Sequence, residues 1–405
     1  MPTMIESPLA HLSEEQLEEL GREFDAIHDE VYEDLGGRDR EYITSMIEMH
    51  RRLAVMGRVL LFFGRSNPAW LLGTSTLSLA KILENMEIGH NVMHGQWDWM
   101  NDPDIHSTAW DWDSASTPEA WKHSHNYVHH TYTNIRGKDK DLGYEIMRID
   151  PHQKWNPVYL GQPFYNLVLA AFFEWGVAFH DLDLEAIQKG EKSKKQVMKE
   201  LKGMGRKAAR QIAKDYIAYP ALSGPKGFKR TLTANFTANI VRNVWAYAII
   251  FCGHFPDQTY TFSQKEVENE SRGGFYIRQL LGSANIEGSP LFHVISGNLG
   301  YQVEHHLYPD MPSTRYAEIA PRIKEICERY NLPYNSGPFL TQLAMVQRTI
   351  LRLAFPGGTP RPKPGPYRGD DSVPATNGRR TGPAGPEGSG PEQTDAGVRV
   401  EMPAN

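Results

Sequence analysis

Apolar residues first recur at helical spacing. Leu17, Leu20, Phe24 and Ile27 follow Ser13 and Gln16, which are spaced as a capping box, and together they predict an amphipathic helix. Residues 1–20 lack the basic start and apolar stretch of a signal peptide, so this opening reads as a soluble helix. Longer apolar stretches follow, each marked by a charge or a proline. Residues 53–63 contain Arg58, and residues 68–83 run on into a more polar helix. Residues 155–173 carry no charge but hold Pro157 and Pro163, residues 212–222 are short, and residues 231–252 contain Arg242. None is a clean apolar run of about twenty residues. Beyond Pro356 the chain is Pro-, Gly- and Ser-rich with almost no large apolar residue, which predicts a disordered tail over 356–405.

These stretches predict an all-α protein with about four transmembrane helices in two hairpins, 53–63 with 68–83 and 212–222 with 231–252. Residues 155–179 then form an interfacial or re-entrant segment. Residues 181–230 hold thirteen Lys or Arg against six Asp or Glu, and the positive-inside rule puts that stretch in the cytoplasm. The whole chain has a net charge of -6, which gives no attraction to nucleic acid. Its mean hydropathy of -0.51 averages over these local anchors. Cys252 and Cys327 are the only cysteines, so neither a disulfide framework nor a Cys-based zinc site is expected.

Histidine supplies the candidate chemistry. His90 and His94 stand at i, i+4 in HNVMH, His125, His129 and His130 fall in HNYVHH, and His305 and His306 close QVEHH. An i, i+4 pair shares one helix face, and an adjacent imidazole offers a donor to a second ion. Seven imidazoles exceed the three or four that one zinc accepts, so two metal ions are implied. Residues sharing a metal must lie on one side of a membrane, which the two hairpins satisfy. Nitrogen donors suit Zn, Cu, Fe or Ni alike, and donor type alone does not choose among them.

HNVMH, HNYVHH and QVEHHLYP, in that order and separated by apolar segments, resemble the membrane fatty acid desaturases. The stretches NMEIGHNVMHGQWDWMNDP, HNYVHHTYTNI, NVWAYAIIFCGHFPD and GNLGYQVEHHLYPDMPS are most similar to that family's bacterial NADPH-dependent stearoyl-CoA delta-9 branch. The likeness covers roughly residues 10–350.

The resemblance implies two non-haem iron ions, O2 as co-substrate and a long-chain acyl-CoA substrate that receives a cis double bond. It adds His254 to the ligands, in CGHFPD. Gln302 stands where many acyl-CoA desaturases have a further histidine, and it becomes a candidate outer-sphere residue together with Glu87, one turn before His90. Trp97 and Trp99 are candidates for the wall of an acyl tunnel. His123 reads as solvent-facing, His180 and His293 as structural, and Lys192, Lys194 and Lys195 as solvated surface. No haem-binding HPGG and no Gly-rich dinucleotide fingerprint occurs, so electrons are expected from a separate NADPH-linked reductase. The expected organisation is a cytoplasmic N-terminal helical segment over 1–50, a desaturase domain over 51–355 and the tail. The expected location is multi-pass in the cell membrane, with both termini and the metal site cytoplasmic. A histidine-box hydroxylase, a front-end desaturase and a non-enzymatic metal-binding membrane protein are the alternatives.

Overall fold

The computed structural model describes residues 11–358, with one short parallel pairing of Lys363–Pro364 and Ser372–Val373 beyond them. From residue 359 on, the tail expected to be disordered otherwise lies outside the described residues. Helix α1 (Glu14–Glu33) starts at the expected capping box. The Gln16 amide donates to Ser13 Oγ at 3.2 Å, and the Ser13 amide donates to Gln16 Oε1 at 2.9 Å. Its stripe of Leu20, Phe24 and Ile27 is buried in one core with residues from 276–281, 303–311 and 316–332.

Helix α2 (Gly37–Phe63) runs without a break through residue 50, so the boundary expected between 50 and 51 falls inside a continuous helix. It packs against α3 (Asn67–Ile82), and Gly57 permits the approach. A Cβ at Gly57 would meet the Gly73 carbonyl and the Leu77 amide at 3.1 Å. In the second hairpin α4 (Lys194–Ile212) continues into Ala213–Ala218 and Tyr219–Leu222, and this continuation packs against α5 (Phe228–His254). Both expected hairpins are therefore present as helix pairs.

Among the described residues, however, no helix is long and apolar enough to cross a membrane. The reason is a polar interior. Helix α3 buries Thr74, Thr76, Ser78 and Lys81, and α5 buries Asn235, Asn239, Arg242 and Asn243. These groups face one another between helices. Lys81 Nζ lies 2.8 Å from Asp215 Oδ2, Arg242 Nη2 2.5 Å from Glu174 Oε1, and Asn235 Nδ2 donates to the Asp215 carbonyl at 2.5 Å. Residues 155–179, expected as one interfacial or re-entrant stretch, form a 3-10 turn Pro157–Gly161 and two short helices, Gln162–Ala171 and Phe173–His180. Phe164, Leu167, Phe172 and Phe179 are exposed on them.

Over one end of the hairpins sit α6 (Arg272–Leu281), α7 (Gln302–Leu307), α8 (Tyr316–Arg329) and α9 (Phe339–Leu353). A short parallel pairing of Asn285–Glu287 with Ser336–Pro338 joins this layer. Arg315, 2% exposed at its side chain, grips Asp39 through Nε and Nη2 at 2.7 and 2.8 Å and so ties the layer to α2. Cys252 and Cys327 are both free and buried.

Helix α1 crosses α6 at Gly273, where a Cβ would lie 1.9 Å from the Leu17 carbonyl oxygen. Gly273→Ala should therefore lift α1 from the core and cost about 1–3 kcal/mol, read as a lower thermal midpoint. Gly274→Ala, whose nearest neighbour is the flexible Glu270 Cγ at 3.2 Å, should leave the midpoint near that of the parent chain.

Candidate metal centre

Widened helical turns present the first two histidine boxes. Helix α3 continues into a π-helix, Leu83–His90, and a last turn, Asn91–Met93, which leads into His94. HNYVHH sits on a second π-helix, Lys122–His129, followed by His130–Tyr132. An i→i+5 turn brings residues i, i+4 and i+5 to one face, which is how His125, His129 and His130 all turn inward. His254 ends α5, and the adjacent His305 and His306 point in different directions from α7.

The eight imidazoles form two nests. One ligand nitrogen from each of His90, His94, His125 and His305 lies within 4.8 Å of the others, and the same holds for His129, His254 and His306. His130 bridges the nests, its ring centroid 4.8 Å from that of His94 and 4.6 Å from that of His306.

Outer contacts set the direction of six of the rings. His129 Nδ1 lies 3.1 Å from both oxygens of Asp139, His254 Nδ1 lies 2.7 Å from the Ile250 carbonyl, and His306 Nδ1 lies 3.1 Å from Gln279 Oε1. His90 Nδ1 faces Asn91 Oδ1 at 3.0 Å, His305 Nδ1 faces the Tyr316 hydroxyl at 3.2 Å, and His125 Nδ1 faces Asp141 Oδ2 at 3.5 Å. With Nδ1 held in this way, Nε2 presents its lone pair inward.

Those inward nitrogens show what the nests fit. His129 Nε2 lies 3.1 Å from His254 Nε2, which lies 2.9 Å from His306 Nε2. Lone pairs facing one another in this way repel. A metal–nitrogen bond of ~2.1 Å places donors at right angles ~3.0 Å apart, so one cation at the centre removes the conflict. Nε2 of His94, His125 and His305 and both nitrogens of His130 are buried without any hydrogen-bond partner. Such orphans are costly unless something else binds them. All but one of the imidazoles are also held toward the neutral form; His129, which burial would lower, is raised by Asp139 and Asp141. Burial, together with the neighbouring His125, pushes His90 down to about 3. Burial and the surrounding histidines likewise hold His94, His130, His305 and His306 well below the usual imidazole range.

Of the two candidate outer-sphere residues, Glu87 takes another place than expected. Glu87 touches no imidazole. Its carboxylate accepts from the Tyr42 hydroxyl at 2.8 Å, Ser313 Oγ at 3.1 Å and Asn298 Nδ2 at 3.0 Å, and burial pushes it up to about 8. It ties the first π-helix to α2 and to the 298–313 stretch, and the partner of His90 is Asn91. Gln302 lies beside the end of α5 that carries His254. Its buried side chain packs on Gly253, where a Cβ would lie 2.7 Å from Gln302 Cγ, and its Oε1 has no partner. Glu84 accepts from the Asp113 amide at 2.8 Å. His123 stacks on Tyr127, outside both nests. Trp97 is completely buried in the core beside Ile43 and Ile47, with Trp99 packed against it, so neither walls a cavity at the histidines. Trp112 and Trp121 do: they border an apolar cavity that reaches His90 and His125 and continues past Phe173 and Ile250.

Asp139 and Asp141 are site residues that the sequence did not single out, and His180, expected to be structural, joins them. Asp141 faces His125 and, at 3.8 Å, His129, and it accepts from His180 Nε2 at 2.9 Å. Burial alone would lower His180, but Asp141 more than offsets it and raises the imidazole to about 9. The available signal was the pair of acids in KDKD, ten and twelve residues after His129.

The family model for fatty acid desaturase matches residues 67–338. The NADPH-dependent stearoyl-CoA 9-desaturase of Mycobacterium tuberculosis (strain ATCC 25618 / H37Rv) is 47% identical over 350 residues, covering 86% of this chain and 82% of its own. The sn-1 linoleoyl-lipid 6-desaturase of Synechocystis is 24% identical over 278 residues, 67% of this chain and 76% of its own. Fatty acid desaturase 3 of Homo sapiens is 30% identical over 143 residues, 35% of this chain and 30% of its own.

Removing the acceptor of His129 Nδ1–H by Asp139→Ala should weaken metal binding about 10–100-fold, measured as metal retained per chain during titration with a chelator. Acid should act on the fold itself. Histidines lowered in the folded state stay neutral there while those of the unfolded chain take up protons, so the stability they contribute is intact above pH ~6.5. It is lost as pH falls from there toward about 3, the value of His90. Thermal midpoints of the metal-free protein from pH 8 to pH 4 should decline through this window.

Proposed function

The chain belongs to the fatty acid desaturase family, and on that premise we propose that it is an oxygen-dependent acyl desaturase that places a cis double bond at C9–C10 of stearoyl-CoA. The observation that carries this reading is the adjacency of the two imidazole nests to the apolar cavity bordered by Trp112 and Trp121. Neighbouring methylenes differ hardly at all in reactivity, so regioselectivity is a matter of which carbon pair the cavity holds beside His90 and His125.

His90, His94, His125, His129, His130, His254, His305 and His306 would hold two non-haem iron ions. Bound there, the irons would supply, from O2, the oxidising power that acid and base side chains lack. The chain's own residues position and protect. Asp139 keeps the proton on His129 Nδ1, the Ile250 carbonyl does so for His254 and Gln279 for His306. The walls contributed by Trp112, Trp121, Phe173 and Ile250 exclude water from the methylene chain. The overall balance removes two hydrogens from the acyl chain, consumes one O2, two electrons and two protons, and releases two waters. The electrons come from NADPH through a separate reductase, in keeping with the NADPH dependence in the name of the mycobacterial relative.

The two hairpins lodge in the bilayer, with the histidines at its cytoplasmic surface. Large apolar side chains on their outer faces support this reading: Val55, Val59, Phe63, Leu71, Phe236 and Val244 are all exposed. Charged groups along the hairpins, Lys81 and Arg242, turn inward to partners instead. The basic residues ahead of the second hairpin, Lys189 to Arg210, lie on the cytoplasmic side, together with both termini.

Protein loaded with iron and supplied with a reductase, NADPH, O2 and stearoyl-CoA should yield an 18-carbon monoenoic product. Mass spectrometry should place its double bond at C9. Hydroxystearate as the main product would assign the chain to the hydroxylases, and metal exchange without O2 consumption would remove the enzymatic reading.

A further inference from the structure

An oxidant strong enough to attack a methylene can also attack the side chains around it. Trp121 is the ring most directly in its way. It stacks on His125 with 4.6 Å between centroids and 27° between planes, and lies edge-on to His94 at 5.3 Å and to His90 at 5.5 Å. Trp112 follows, 5.3 Å from Trp121, and Trp110 packs against the pair. Trp112 and Trp121 are buried. Trp110 is half-buried and lines two openings, a cavity of about 510 Å³ between the hairpins and a groove of about 850 Å³ along α4, each large enough for a small solute. Three of the nine tryptophans therefore stand in file within residues 110–121, from the histidines to space that solutes can reach.

Indole and phenol are the most readily oxidised rings among side chains, and they differ in what happens to the proton. A phenol must release its proton as it loses an electron, whereas an indole can lose the electron first. Tyr316 shows the consequence. Its hydroxyl lies 3.2 Å from His305 Nδ1 but donates to the Tyr308 carbonyl at 3.1 Å, an acceptor that cannot take the proton away, so this ring is no outlet. Trp112 donates its N–H to the Ser116 carbonyl at 3.0 Å and keeps it there while an electron passes through the ring. A wall for an acyl chain needs only bulk and apolarity, which Phe or Leu would supply. Three indoles in contact supply a conductor as well.

We propose that Trp121, Trp112 and Trp110 form an electron relay that discharges the metal centre when O2 is reduced with no acyl chain in the cavity. The inference rests on the O2-dependent reading and adds a protective activity to it. In the productive reaction four electrons reach O2, two from NADPH and two with the hydrogens of the acyl chain. Without the chain, two are missing. Trp121 gives one electron inward and is refilled from Trp112, which is refilled from Trp110, and a soluble thiolate reduces the Trp110 ring cation. Two such passages, with two protons from water, complete the second water molecule. The two thiols return two protons to water and join as a disulfide. The sum is one O2, two electrons, two protons and two thiols consumed, and two waters and one disulfide formed.

The iron-loaded full chain is reduced with dithionite, freed of excess reductant, mixed with O2 without stearoyl-CoA and frozen for electron paramagnetic resonance. A tryptophan radical should appear, and added glutathione should shorten its life severalfold. In Trp110→Phe the response to glutathione should be lost. Peptide mass spectrometry after repeated cycles gives a second readout: oxygen added to Trp121, His90 and His125 should rise severalfold in Trp112→Phe over the parent chain. Bound stearoyl-CoA should suppress both the radical and the damage. Metal content and thermal midpoint report whether each variant is folded, and Trp110, outside the apolar cavity, gives a reading that does not depend on repacking it. Absence of a tryptophan radical in the parent chain, a radical indifferent to glutathione, or oxidation of Trp121 unchanged in Trp112→Phe overturns the proposal. A chain that desaturates stearoyl-CoA yet shows any of these results overturns only the relay. One that shows the radical and its response to glutathione but forms no double bond overturns only the functional reading.

Discussion

Eight buried imidazoles whose inward nitrogens cannot all be satisfied by one another are the constraint on which the rest of the structure depends. Protons do not resolve it: each N–H serves one neighbour, and charging the rings inside a nest adds repulsion to burial. Cations at the two foci do resolve it. Three separated stretches of chain, 90–130, 254 and 305–306, must then be brought to one place, and the helical layer over the hairpins does so. Arg315 anchors that layer to α2 through Asp39, while Glu87 links α2, the first π-helix and the 298–313 stretch.

A layer of second contacts turns this convergence into a directed site. Asp139, Gln279, Asn91, the Tyr316 hydroxyl and the Ile250 carbonyl each hold a ring nitrogen on the outer side. Fixing the tautomer from outside costs nothing in the interior, where every exposed lone pair faces a nest or His130. The same logic of facing charge inward governs the hairpins. Lys81, Arg242, Asp215 and Glu174 form their pairs between helices, which leaves the outer faces to Val55, Phe63, Leu71 and Phe236. A protein built this way has polar helices by composition and an apolar exterior by arrangement.

That arrangement explains what the sequence disclosed and what it hid. HNVMH, HNYVHH and QVEHH were legible because ligand type and spacing are local properties, His254 only through the family resemblance, and the capping box at Ser13 because it spans four residues. The hairpin partners were legible from the ordering of apolar stretches. Individual apolar spans were not, since averaging along a helix cannot tell an inward Asn239 or Lys81 from an outward one. The π-helical turns were hidden because an i, i+4 pair looks the same on an α- or a π-helix, and only the inward turn of both His129 and His130 reveals the difference. Asp139 and Asp141 were missed, and His180 was placed as structural, because their role lies in whom they face. Trp97 and Glu87 were misplaced by proximity in sequence, which put them beside the first box without saying that both point toward α2.

Anomalous diffraction from iron-loaded crystals at the iron edge tests the central claim most directly. Two peaks are expected, one enclosed by His90, His94, His125 and His305 and the other by His129, His254 and His306, with His130 between them. A single peak, or iron density away from both groups, would contradict the account.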